Sequence, residues 1–424
     1  MKALVIGSGG REHAIAWRLA QEPGVHVVAA PGNPGMVDLG PCLRPPSNTP
    51  EGYLQLALEH EVDLTIVGPE APLVAGVVDT FVAAGQKIAG PTRAAAQLEA
   101  SKQFAKQVMI GAHIPTAAYQ AATSIAEARH ALRNFSYPVV LKADGLAAGK
   151  GVIIAHNETE AHQALEALQI LGPKILIEEF LQGEEASFIA LCDGKRAIAL
   201  EASQDHKTIF NGDEGPNTGG MGAYCDGRIL TPAQIRAVLD TVIQPALDYM
   251  RHLGTPFSGF LYAGLMMTRE GAKVLEFNVR LGDPETQSLL HRIRGGFAES
   301  LMAAASGDLS QAVFDWNPNP SVCVVMAAAG YPEKPRTGDA INGITEAEST
   351  GAVVFQAGTH LDNGTLRTSG GRVLGVTASG ADLSSAIGNT YEAARRIHFD
   401  GMQFRTDIGA KGLKRWSTIR TVGT

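Results

Sequence analysis

The stretch KALVIGSGGREHAIAWRLAQEPGVHVVAA, residues 2–30, decides the fold at the start of the chain. It reads as an apolar strand, a glycine-rich turn, an amphipathic helix and a second apolar strand. A third apolar run, DLTIVG at 63–68, precedes a turn with two prolines and a helical pattern near 73–84. Short apolar runs that alternate with amphipathic helices are typical of a doubly wound parallel sheet. We therefore predict an α/β domain with such a sheet over residues 1–101.

The pattern changes after a helix predicted at about 100–111. Strand candidates then follow one another closely, and most connections are too short for a crossover helix, so hairpins and antiparallel pairing are expected. The candidates are YPVVLKA, GVIIAH, KILIEEF, EASFIALC and KRAIALEAS, and a further hairpin joins FSGFLYAGLMM to AKVLEFNVR through TREG. Helices follow up to about residue 307. We predict an α+β region over residues 102–318.

A proline- and asparagine-rich stretch, DWNPNPSV at 315–322, predicts a domain boundary. The residues after it, from CVVMAAAGYP onward, have the mixed pattern of a small α+β domain. We place this C-terminal domain at residues 319–424.

The composition excludes several classes of function. The formal net charge is -8 and no run of Lys or Arg is present, so the clustered positive charge of a nucleic-acid-binding protein is missing. No apolar stretch approaches the length of a membrane span, and the first apolar run is too short for a secretory signal. The four cysteines lie far apart and form no CxxC pair, which is typical of buried thiols in a reducing compartment. We expect a cytoplasmic monomer with no nucleic-acid or membrane partner.

The glycine-rich turn GSGGRE at residues 7–12 does not fit a dinucleotide-binding fingerprint. Glu12 stands where the third glycine would be, and the second strand ends in AAP without an acidic residue for a ribose. A turn of this kind that opens a helix still offers free backbone N–H groups and a positive dipole end. With Arg11 beside it, a single phosphate is the predicted ligand, and a tight turn without a ligand is the alternative.

A second glycine-rich segment, DGLAAGKG at 144–151, is not a Walker A loop. Asp144 stands where that loop needs glycine, Gly151 stands where it needs Ser or Thr, and a strand rather than a helix follows. The segment reads as a hairpin that carries Lys150, with Lys142 at the end of the preceding strand. Two such lysines suit clamping over a polyphosphate, and an exposed hairpin with solvated lysines is the alternative.

The segment VLEFNVRLGDPE at 274–285 is the most informative one. Alternate residues of a strand share a face, so Glu276, Asn278 and Arg280 should project together, while their apolar neighbours, Leu275 among them, pack inward. Two oxygen ligands and a guanidinium suit a divalent metal bound with a nucleotide, and an anionic substrate. A strand face exposed to solvent is the alternative, although asparagine is a poor strand former.

Two weaker segments point the same way. EEFLQGEE at 178–185 lies at a strand end, where a hinge can offer backbone groups to an adenine edge and Glu185 can hold a ribose. SQDHKTIFNGDEGPNTGGMGAY at 203–224 reads as a long irregular loop, with Asp205 and Lys207 ahead of glycines that would let the backbone approach a small substrate. An acidic turn and a disordered surface loop are the respective alternatives.

Motifs of covalent-nucleophile and zinc enzymes are missing, since the sequence has no G-x-S-x-G elbow and no H-E-x-x-H pair. This absence suits phosphoryl chemistry, in which positioning and electrostatics do most of the work.

A strand lysine, a glycine-rich lysine hairpin, an E-E-F-L hinge and an E-x-N strand, in this order, resemble the ATP-grasp superfamily. Longer motifs resemble one of its members, the phosphoribosylamine–glycine ligase (glycinamide ribonucleotide synthetase) family. They are GSGGREHA, KADGLAAGKGV, EEFLQGEEASF, SQDHK with GPNTGGMGAY, GFLYAGLM and EFNVRLGDPET, and the likeness extends to RTGDAINGI and SGGRVLGVTA, so it covers essentially the whole chain. The resemblance implies a stand-alone ATP-grasp ligase with a small mobile lid at about 115–190.

The resemblance also implies roles for individual residues. The implied ATP-binding set is Lys106, Lys142, Gly149, Lys150, Glu178, Glu179, Phe180, Leu181 and Glu185. The implied substrate-binding set is Gly9, Gly10, Arg11, Glu70, Asn217, Thr218, Gly219, Gly220, Met221, Gly222, Arg280 and Asp283. Lys142, Lys150, Asp205 and Arg280 would be catalytic, and Glu276 and Asn278 would ligate Mg²⁺ or Mn²⁺. Many relatives carry a second metal carboxylate on the preceding strand, where GFLYAGLM has none, so the number of metal ions stays open.

The implied reaction joins glycine to 5-phosphoribosylamine with ATP, the second step of de novo purine synthesis. The glycine carboxylate attacks the γ-phosphate, and the amine then displaces phosphate from glycyl phosphate. Acyl phosphates hydrolyse, so a lid that excludes water is expected, and the hairpin at 142–152 is the candidate. A sister ligase that uses bicarbonate or formate, and a nucleotide-binding sensor without turnover, are the alternatives; the pair Glu276 and Asn278 speaks against the sensor.

Overall fold

The computed structural model describes residues 1–146 and 151–415. The first hundred residues form an α/β unit. Its elements are β1 (Lys2–Gly7), α1 (Gly10–Ala20), β2 (His26–Pro31), α2 (Pro50–Glu59), β3 (Leu64–Val67), α3 (Glu70–Ala75), α4 (Val77–Ala83), β4 (Ile88–Ala89) and α5 (Gln97–Ala100). The four strands are parallel in the order β2-β1-β3-β4. The central strands are buried along nearly their whole length, as a parallel sheet covered on both faces requires. The parallel sheet expected from the sequence is confirmed.

One glycine divides the helix predicted near 73–84 into α3 and α4. Gly76 has a φ of +94°, in the left-handed region that favours glycine, and its N–H donates to Leu73 O at 3.0 Å. The glycine therefore ends one helix and begins the next, and the prediction of a single helix was wrong.

The next unit is a small antiparallel sheet with two packed helices. Its elements are α6 (Lys102–Gly111), β5 (Tyr119–Ala122), α7 (Ile125–Ala131), β6 (Val139–Ala143), β7 (Val152–Ala155), α8 (Glu158–Gln169) and β8 (Ile175–Glu179). The strands are antiparallel in the order β5-β8-β6-β7, and the unit has a core of its own, built between Ala122 and Ile177. We call β5 to β8 with α7 and α8 the small sheet unit.

The remaining chain up to residue 318 supplies one half of a large sheet. Its elements are β9 (Glu184–Asp193), β10 (Ala197–Ala199), β11 (Ser203–Asp205), β12 (Thr208–Phe210), β13 (Glu214–Asn217), β14 (Gly222–Cys225), α9 (Pro232–Val238), a π-helical turn (Leu239–Ile243), α10 (Gln244–His252), β15 (Ser258–Thr268), β16 (Gly271–Asn278), α11 (Glu285–Leu290), β17 (Ile293–Gly295), α12 (Phe297–Ser306) and β18 (Asp315–Trp316).

The C-terminal residues supply the other half of the same sheet. Their elements are β19 (Ser321–Ala327), α13 (Ile344–Glu348), β20 (Val353–Gln356), β21 (Thr359–Asp362), β22 (Thr365–Thr368), β23 (Arg372–Ser379) and α14 (Leu383–Ala394). The nine-stranded sheet runs β16-β15-β9-β11-β14-β19-β23-β20, with β10 paired to β9. Antiparallel pairing of β14 with β19 carries it across the boundary predicted at 318/319.

Three local expectations differ from the structure. The strands KILIEEF and EASFIALC do not form a hairpin, because β8 pairs with β5 and β6 whereas β9 pairs with β10, β11 and β15. A helix, α8, fills the connection from β7 to β8. The segment 203–224 is not irregular, since β12 and β13 form a short hairpin between two strands of the large sheet.

A bulge in β16 changes which apolar residues face the core. The register with β15 shifts between Gly264 and Leu265, which pair with Glu276 and Val274, so Leu275 is the extra residue. Val274 and Phe277 are buried in the core, while Leu275 is half-buried. The expectation that Leu275 packs inward was therefore wrong, because a bulge interrupts the strict alternation of a strand.

Candidate active site

Two lysines and a glutamate from three elements form a buried cluster. Lys106 lies on α6, Lys142 on β6 and Glu178 on β8. Glu178 Oε2 lies 3.2 Å from Lys106 Nζ and 3.0 Å from Lys142 Nζ, and all three residues are buried. Burial lowers the pKa of Lys106 to about 8, with Glu178 acting in the opposite direction. The cluster therefore holds two cations close together, with one carboxylate to compensate them.

One oxygen of this cluster has no partner. Glu178 Oε1 is buried and makes no hydrogen bond within the described ranges 1–146 and 151–415. An unsatisfied buried acceptor is costly, so it suits a site where a ligand supplies the donor. An adenine amino group is such a donor, as the predicted role of Glu178 requires.

The last residue of β8, Glu179, is bonded to Ala118, the residue before β5. Glu179 Oε1 accepts from Ala118 N at 2.9 Å, and Glu179 N donates back to Ala118 O at 3.0 Å. Phe180 is partly exposed and Leu181 is buried. The side chain of Glu179 is thus occupied locally, and Phe180 and Leu181 follow it directly in the chain.

Lys142 connects the small sheet unit to β16. Its Nζ donates to Leu275 O at 2.9 Å, at the bulge and directly before Glu276. Glu276 is half-buried, and within the residues that the structure describes it has no hydrogen-bond or ion-pair partner. Asn278, two residues on, accepts from Arg280 Nη2 at 3.2 Å. A free carboxylate and an amide oxygen therefore lie on one face of β16, next to a lysine of the cluster.

Arg280 is held by two glutamates of the N-terminal unit. Its Nη2 donates to Glu99 Oε1 at 2.8 Å, and its Nε lies 3.7 Å from Glu70 Oε2. Glu99 also accepts from Val279 N at 2.8 Å. Although burial disfavours the charged form, Glu99 and Glu70 raise the pKa of Arg280 above its ordinary value. The guanidinium is permanently charged and fixed in orientation.

The N-terminal glycine-rich turn is occupied by its own helix. Gly9 N donates to Glu12 Oε2 at 2.6 Å, and Arg11 Nε donates to Glu12 Oε1 at 2.6 Å. Arg11 and Glu12 are both buried, and Arg11 also donates to Leu281 O. Of the backbone N–H groups expected to be free at this turn, that of Gly9 is capped by Glu12, the third residue of the helix. Gly10 lies against α11, since a Cβ there would lie 2.8 Å from Gln287 Nε2.

A different glycine-rich stretch, residues 217–222, is held tightly by hydrogen bonds at its centre, and from here on we call it the glycine-rich segment. Thr218 donates to Lys207 O through both its N–H and its hydroxyl, at 2.7 and 2.8 Å, and its hydroxyl accepts from Gly220 N at 2.9 Å. Asn217 pairs with Thr208 across the β12–β13 hairpin. Met221 is fully buried beside Ile209 and Ala327, so its side chain faces the protein core.

Gly220 and Gly222 lie where no larger residue fits. Gly220 has a φ of +113°, and a Cβ there would lie 2.4 Å from Pro284 Cδ and 2.9 Å from Asp205 Oδ1. At Gly222 a Cβ would lie 2.6 Å from Cys323 O. The backbone of this segment therefore approaches its neighbours more closely than a side chain would permit.

Asp205 lies at the end of β11, beside two groups that change its proton affinity. Burial and the Glu285 carboxylate raise the pKa of Asp205 well above its ordinary value, with Lys207 acting in the opposite direction. Lys207 itself pairs with Glu185 at 2.7 Å, which lowers the pKa of that carboxyl. Asp205 is thus a carboxyl that tends to hold a proton.

Several residues that sequence reasoning missed complete the region. Glu285 is buried and accepts from Ser187 Oγ at 3.0 Å and Tyr262 OH at 2.9 Å. Arg372 pairs with Asp283 at 3.1 Å and donates to Gly219 O at 2.6 Å. Glu12, Glu99 and Lys102, whose Nζ donates to Gly145 O, belong with them. Glu285 and Arg372 stand in quoted motifs, GDPET and SGGRVLGVTA, but nothing local distinguished their charges from solvated ones.

Two of the predicted residues, Gly149 and Lys150, lie outside the described residues. Among the residues that the structure describes, no group of three or more His, Cys, Asp or Glu side chains is arranged to hold a metal ion. The predicted metal pair is smaller than such a group, with one carboxylate and one amide. In the ranges 1–146 and 151–415, no helix is long and apolar enough to cross a membrane.

Comparisons with known proteins agree with this arrangement. Family models of phosphoribosylglycinamide synthetase match three successive parts of the chain: its N domain matches residues 1–99, its ATP-grasp (A) domain residues 100–286 and its C domain residues 321–411.

Relatives and solved structures extend the agreement over the whole length. A phosphoribosylamine–glycine ligase of Ralstonia nicotianae is 48% identical over 98% of this chain and 100% of its own. One of Vibrio vulnificus is 46% identical over 98% and 99%. The crystal structure of the ligase from Thermotoga maritima has a TM-score of 0.85 at 32% identity, covering 96% of this chain and 100% of that one. A biotin carboxylase domain of Hydrogenobacter thermophilus, at 18% identity and a TM-score of 0.70 (95% and 91% covered), shares the fold alone.

The fold and the cluster of lysines beside an E-x-N strand define an ATP-grasp carboxylate–amine ligase. Within that class the chain belongs to the phosphoribosylamine–glycine ligase family, which performs the second step of purine biosynthesis. The resemblance and the fold class predicted from the sequence are confirmed.

Proposed function

We propose that this chain joins glycine to 5-phosphoribosylamine through a glycyl phosphate, using ATP with a divalent metal ion. The observation that carries the proposal is the hydrogen bond from Lys142 Nζ to Leu275 O at 2.9 Å. It brings the Lys106–Glu178–Lys142 cluster against the strand of Glu276 and Asn278. Cations and oxygen ligands that converge in this way suit a polyphosphate with its metal ion.

The residues of β16 fit a metal ion. Glu276 offers a carboxylate with no partner among the described residues, and Asn278 offers an amide oxygen on the same face. Hard cations such as Mg²⁺ prefer oxygen ligands of this kind, with water and phosphate completing the shell. When bound, the ion neutralises charge on the transferring phosphoryl group. Both Mg²⁺ and Mn²⁺ suit such a ligand set.

We assign the remaining residues to the two other substrates, glycine and phosphoribosylamine. Arg280 and the backbone of Thr218–Gly222 are proposed to hold glycine, since a fixed guanidinium binds a carboxylate and the tight backbone leaves room for a small substrate. Gly10, Arg11, Glu70 and Asp283 are proposed to line the phosphoribosylamine side. Asp205, with its raised pKa, is proposed to take the proton that the attacking amine loses.

The mechanism predicts the fate of one oxygen atom. Glycine attacks through a carboxylate oxygen, and the amine later attacks the carbonyl carbon, so the bridging oxygen leaves with phosphate. Glycine labelled with ¹⁸O in its carboxylate should therefore give inorganic phosphate with one ¹⁸O per turnover. Mass spectrometry of the phosphate measures this directly.

Omission experiments supply the control. ADP release should require ATP, a divalent metal ion, glycine and freshly prepared phosphoribosylamine, and hydroxylamine in place of the amine should trap glycine as its hydroxamate. Unlabelled phosphate would contradict the glycyl phosphate. ADP release that depends on bicarbonate or formate instead of glycine would show that the carboxylate substrate is not an amino acid. ATP binding without ADP release would indicate a nucleotide sensor.

We further propose that the enzyme acts as a monomer in the cytoplasm. Sedimentation at micromolar concentration tests the first statement, and fractionation of the source cells tests the second.

The role of Lys150 stays a prediction from the sequence: Lys150→Ala should lower kcat more than it weakens ATP binding.

A further inference from the structure

A segment near the C-terminus packs against the β12–β13 hairpin and against Gly222 of the glycine-rich segment. We call residues 405–411 the clamp. Arg405 is 1% exposed, and its guanidinium lies against the β12–β13 hairpin, about two hundred residues earlier in the chain. The hairpin lies between Asp205 and the glycines proposed to bind the amino acid, so the clamp supports that part of the site.

The guanidinium of Arg405 uses all three of its nitrogens. Nη1 donates to Thr208 Oγ1 at 2.9 Å and to Thr208 O at 3.2 Å. Nη2 pairs with Asp213 Oδ1 at 3.1 Å. Nε and Nη2 together hold Asp407 in a bidentate pair, each at 2.7 Å. A planar fork satisfied on every side fixes both the position and the orientation of the hairpin.

Four further contacts, between three residue pairs, join the same two segments. Asn211 Nδ2 donates to Thr406 Oγ1 at 2.6 Å, and Thr406 N donates to Asn211 Oδ1 at 2.9 Å. Asp407 Oδ2 accepts from Gly212 N at 2.9 Å. Lys411 Nζ lies 2.6 Å from Asp213 Oδ2. The clamp therefore contacts both the turn of the hairpin, at residues 211–213, and its first strand residue, Thr208.

The clamp is itself anchored to a rigid element. Tyr391 of α14 donates its hydroxyl to Arg405 O at 2.8 Å and accepts from Ile408 N at 3.0 Å. Ile408 then packs against Gly222, where an added Cβ would lie 2.8 Å from its Cγ1. A continuous set of contacts thus runs from α14 through the clamp to the glycine-rich backbone.

A buried guanidinium is an expensive way to gain stability. Removing a charge from water costs several kcal/mol, so buried ion pairs add little net stability over apolar residues of the same size (roughly neutral in many cases). What such a pair does supply is one defined geometry. The hairpin is exposed along Asn211–Pro216 and has few apolar contacts of its own, so it needs that definition from elsewhere.

We propose that Arg405 is a positioning residue that holds the glycine-rich segment in the conformation that binds the amino-acid substrate. The proposal rests on the function proposed above, in which this segment binds glycine. The ATP-binding cluster of Lys106, Lys142 and Glu178 lies on α6, β6 and β8, which the clamp does not contact through any hydrogen bond or ion pair among the described residues. Glu185 of the implied ATP-binding set is nearer, since the charges of Lys411 and Asp213 both act on it. Loss of the Arg405 contacts should therefore raise the KM for glycine more than the KM for ATP.

The test is a set of KM values from ADP release, with glycine, ATP and phosphoribosylamine each varied in turn. A misplacement of about 1 Å can cost roughly 100-fold in activity, so Arg405→Met should raise the KM for glycine about tenfold or more, with the KM for ATP changed less than about twofold. Arg405→Lys keeps the charge but not the fork, and its KM for glycine should fall between those of the wild type and Arg405→Met. Arg396→Met is the matched control, because Arg396 is exposed in the same C-terminal region and none of its partners belongs to the hairpin: it pairs with Glu392 and donates to Glu346 O and Ser349 Oγ.

Variants on the exposed side of the contact keep the test decisive if Arg405→Met fails to fold. Asp213→Asn and Asn211→Ala remove clamp contacts from exposed positions, and both should raise the KM for glycine more than the KM for ATP, at unchanged melting temperature. A KM for glycine equal to that of the wild type in these two variants would overturn the proposal, as would parallel changes in all three KM values. If the wild type itself shows no glycine-dependent ADP release, the proposed function fails instead.

Discussion

At the scale of single residues, the site is a set of charges that hold one another in place. Glu178 compensates Lys106 and Lys142, Glu99 orients Arg280, and Glu12 occupies the turn that carries Arg11. Glu276 stands apart from this pattern, since its carboxylate makes no hydrogen bond or ion pair within the described residues and acts on Lys102 and Lys207 only from a distance. Charges that are already paired can be positioned before a ligand binds, whereas an unpaired carboxylate is available to a cation.

Removing the charge of Glu276 should therefore stop the reaction without harming the fold. Metal-ion stabilisation of the transferring phosphoryl group is worth several kcal/mol, so Glu276→Gln should lower kcat/KM by more than about 100-fold. The melting temperature should stay within about 2 °C, since the half-buried carboxylate makes no hydrogen bond or ion pair among the described residues that the change would break. Glu270→Gln, exposed on the same hairpin and paired with Lys273, is the control. A folded Glu276→Gln enzyme with near wild-type turnover would remove Glu276 from the metal site.

The pH dependence should report on Asp205. Burial and Glu285 raise the pKa of Asp205, so at low pH this carboxyl holds a proton and cannot accept one from the amine. The rate should therefore rise as pH rises through its pKa. Glu285→Gln removes a negative neighbour while keeping an acceptor for Ser187 and Tyr262, so the acid limb of the kcat profile should move to lower pH.

The control for this prediction is Glu299→Gln, an exposed carboxylate on α12. Its profile should overlay that of the wild type. If the Glu285→Gln limb moves to higher pH, or does not move, then Asp205 is not the group that sets it.

At the scale of elements, close backbone approach determines what the glycine-rich segment can accept. Gly220 combines a φ of +113° with a Cβ position 2.4 Å from Pro284 Cδ, and Thr218 ties the turn to Lys207 O. Steric exclusion by such a wall discriminates against a methyl group more strongly than attraction can, because alanine makes every contact that glycine makes. An apolar pocket alone yields only about 1–3 kcal/mol for one methyl.

A side chain at Gly220 should therefore damage amino-acid binding specifically. Gly220→Ala is expected to raise the KM for glycine by more than about tenfold or to abolish activity, with ATP binding retained, since 1.4 kcal/mol corresponds to tenfold in affinity. Gly271→Ala is the matched control: its φ is +123°, and nothing lies within 4 Å of an added Cβ. It carries the same backbone penalty without the clash.

The choice of amino-acid substrate gives a second test of steric exclusion by the backbone at Gly220. The wild type should release ADP with glycine and much less with alanine, serine or β-alanine. Comparable turnover with alanine would mean that Gly220 and its neighbours do not line the carboxylate site.

At the scale of the whole molecule, the large sheet binds the middle and the C-terminal regions into one structure. β14 and β19 pair from Gly222 with Val324 to Cys225 with Ser321, and every residue of Ser321–Ala327 is buried. The largest core cluster includes Leu4, Phe188 and Ile408, from the first, middle and last parts of the chain. Strands on both sides of the predicted division at 318/319 therefore belong to one sheet.

The C-terminal region should consequently fail to fold alone. A fragment of residues 319–424 would expose the apolar β19 edge and lose its partner β14, which favours aggregation over cooperative folding. Circular dichroism and thermal melting of the purified fragment measure this. Coexpression with residues 1–318 should restore a soluble complex. A fragment that melts cooperatively by itself would support the predicted division instead.

The sequence by itself determined the local structure and the type of site. Apolar alternation located most strands, the helical repeat located α1 and α6, and the E-x-N and lysine motifs indicated a nucleotide with its metal ion. These signals succeed because they depend on neighbours within one turn or one strand. They fail where a single residue breaks the period, as Gly76 does between α3 and α4 and the bulge does at Leu275.

Only the tertiary structure decided which charges meet and which strands share a sheet. Glu99 reaches Arg280 across 181 positions, Arg372 reaches Gly219 across 153, and Arg405 reaches Asp213 across 192. No local pattern encodes such pairs, because their geometry arises from the packing of separate elements. The placement of β8 and β9 in different sheets has the same origin: each strand is apolar enough to pair anywhere, and the rest of the core determines its partner.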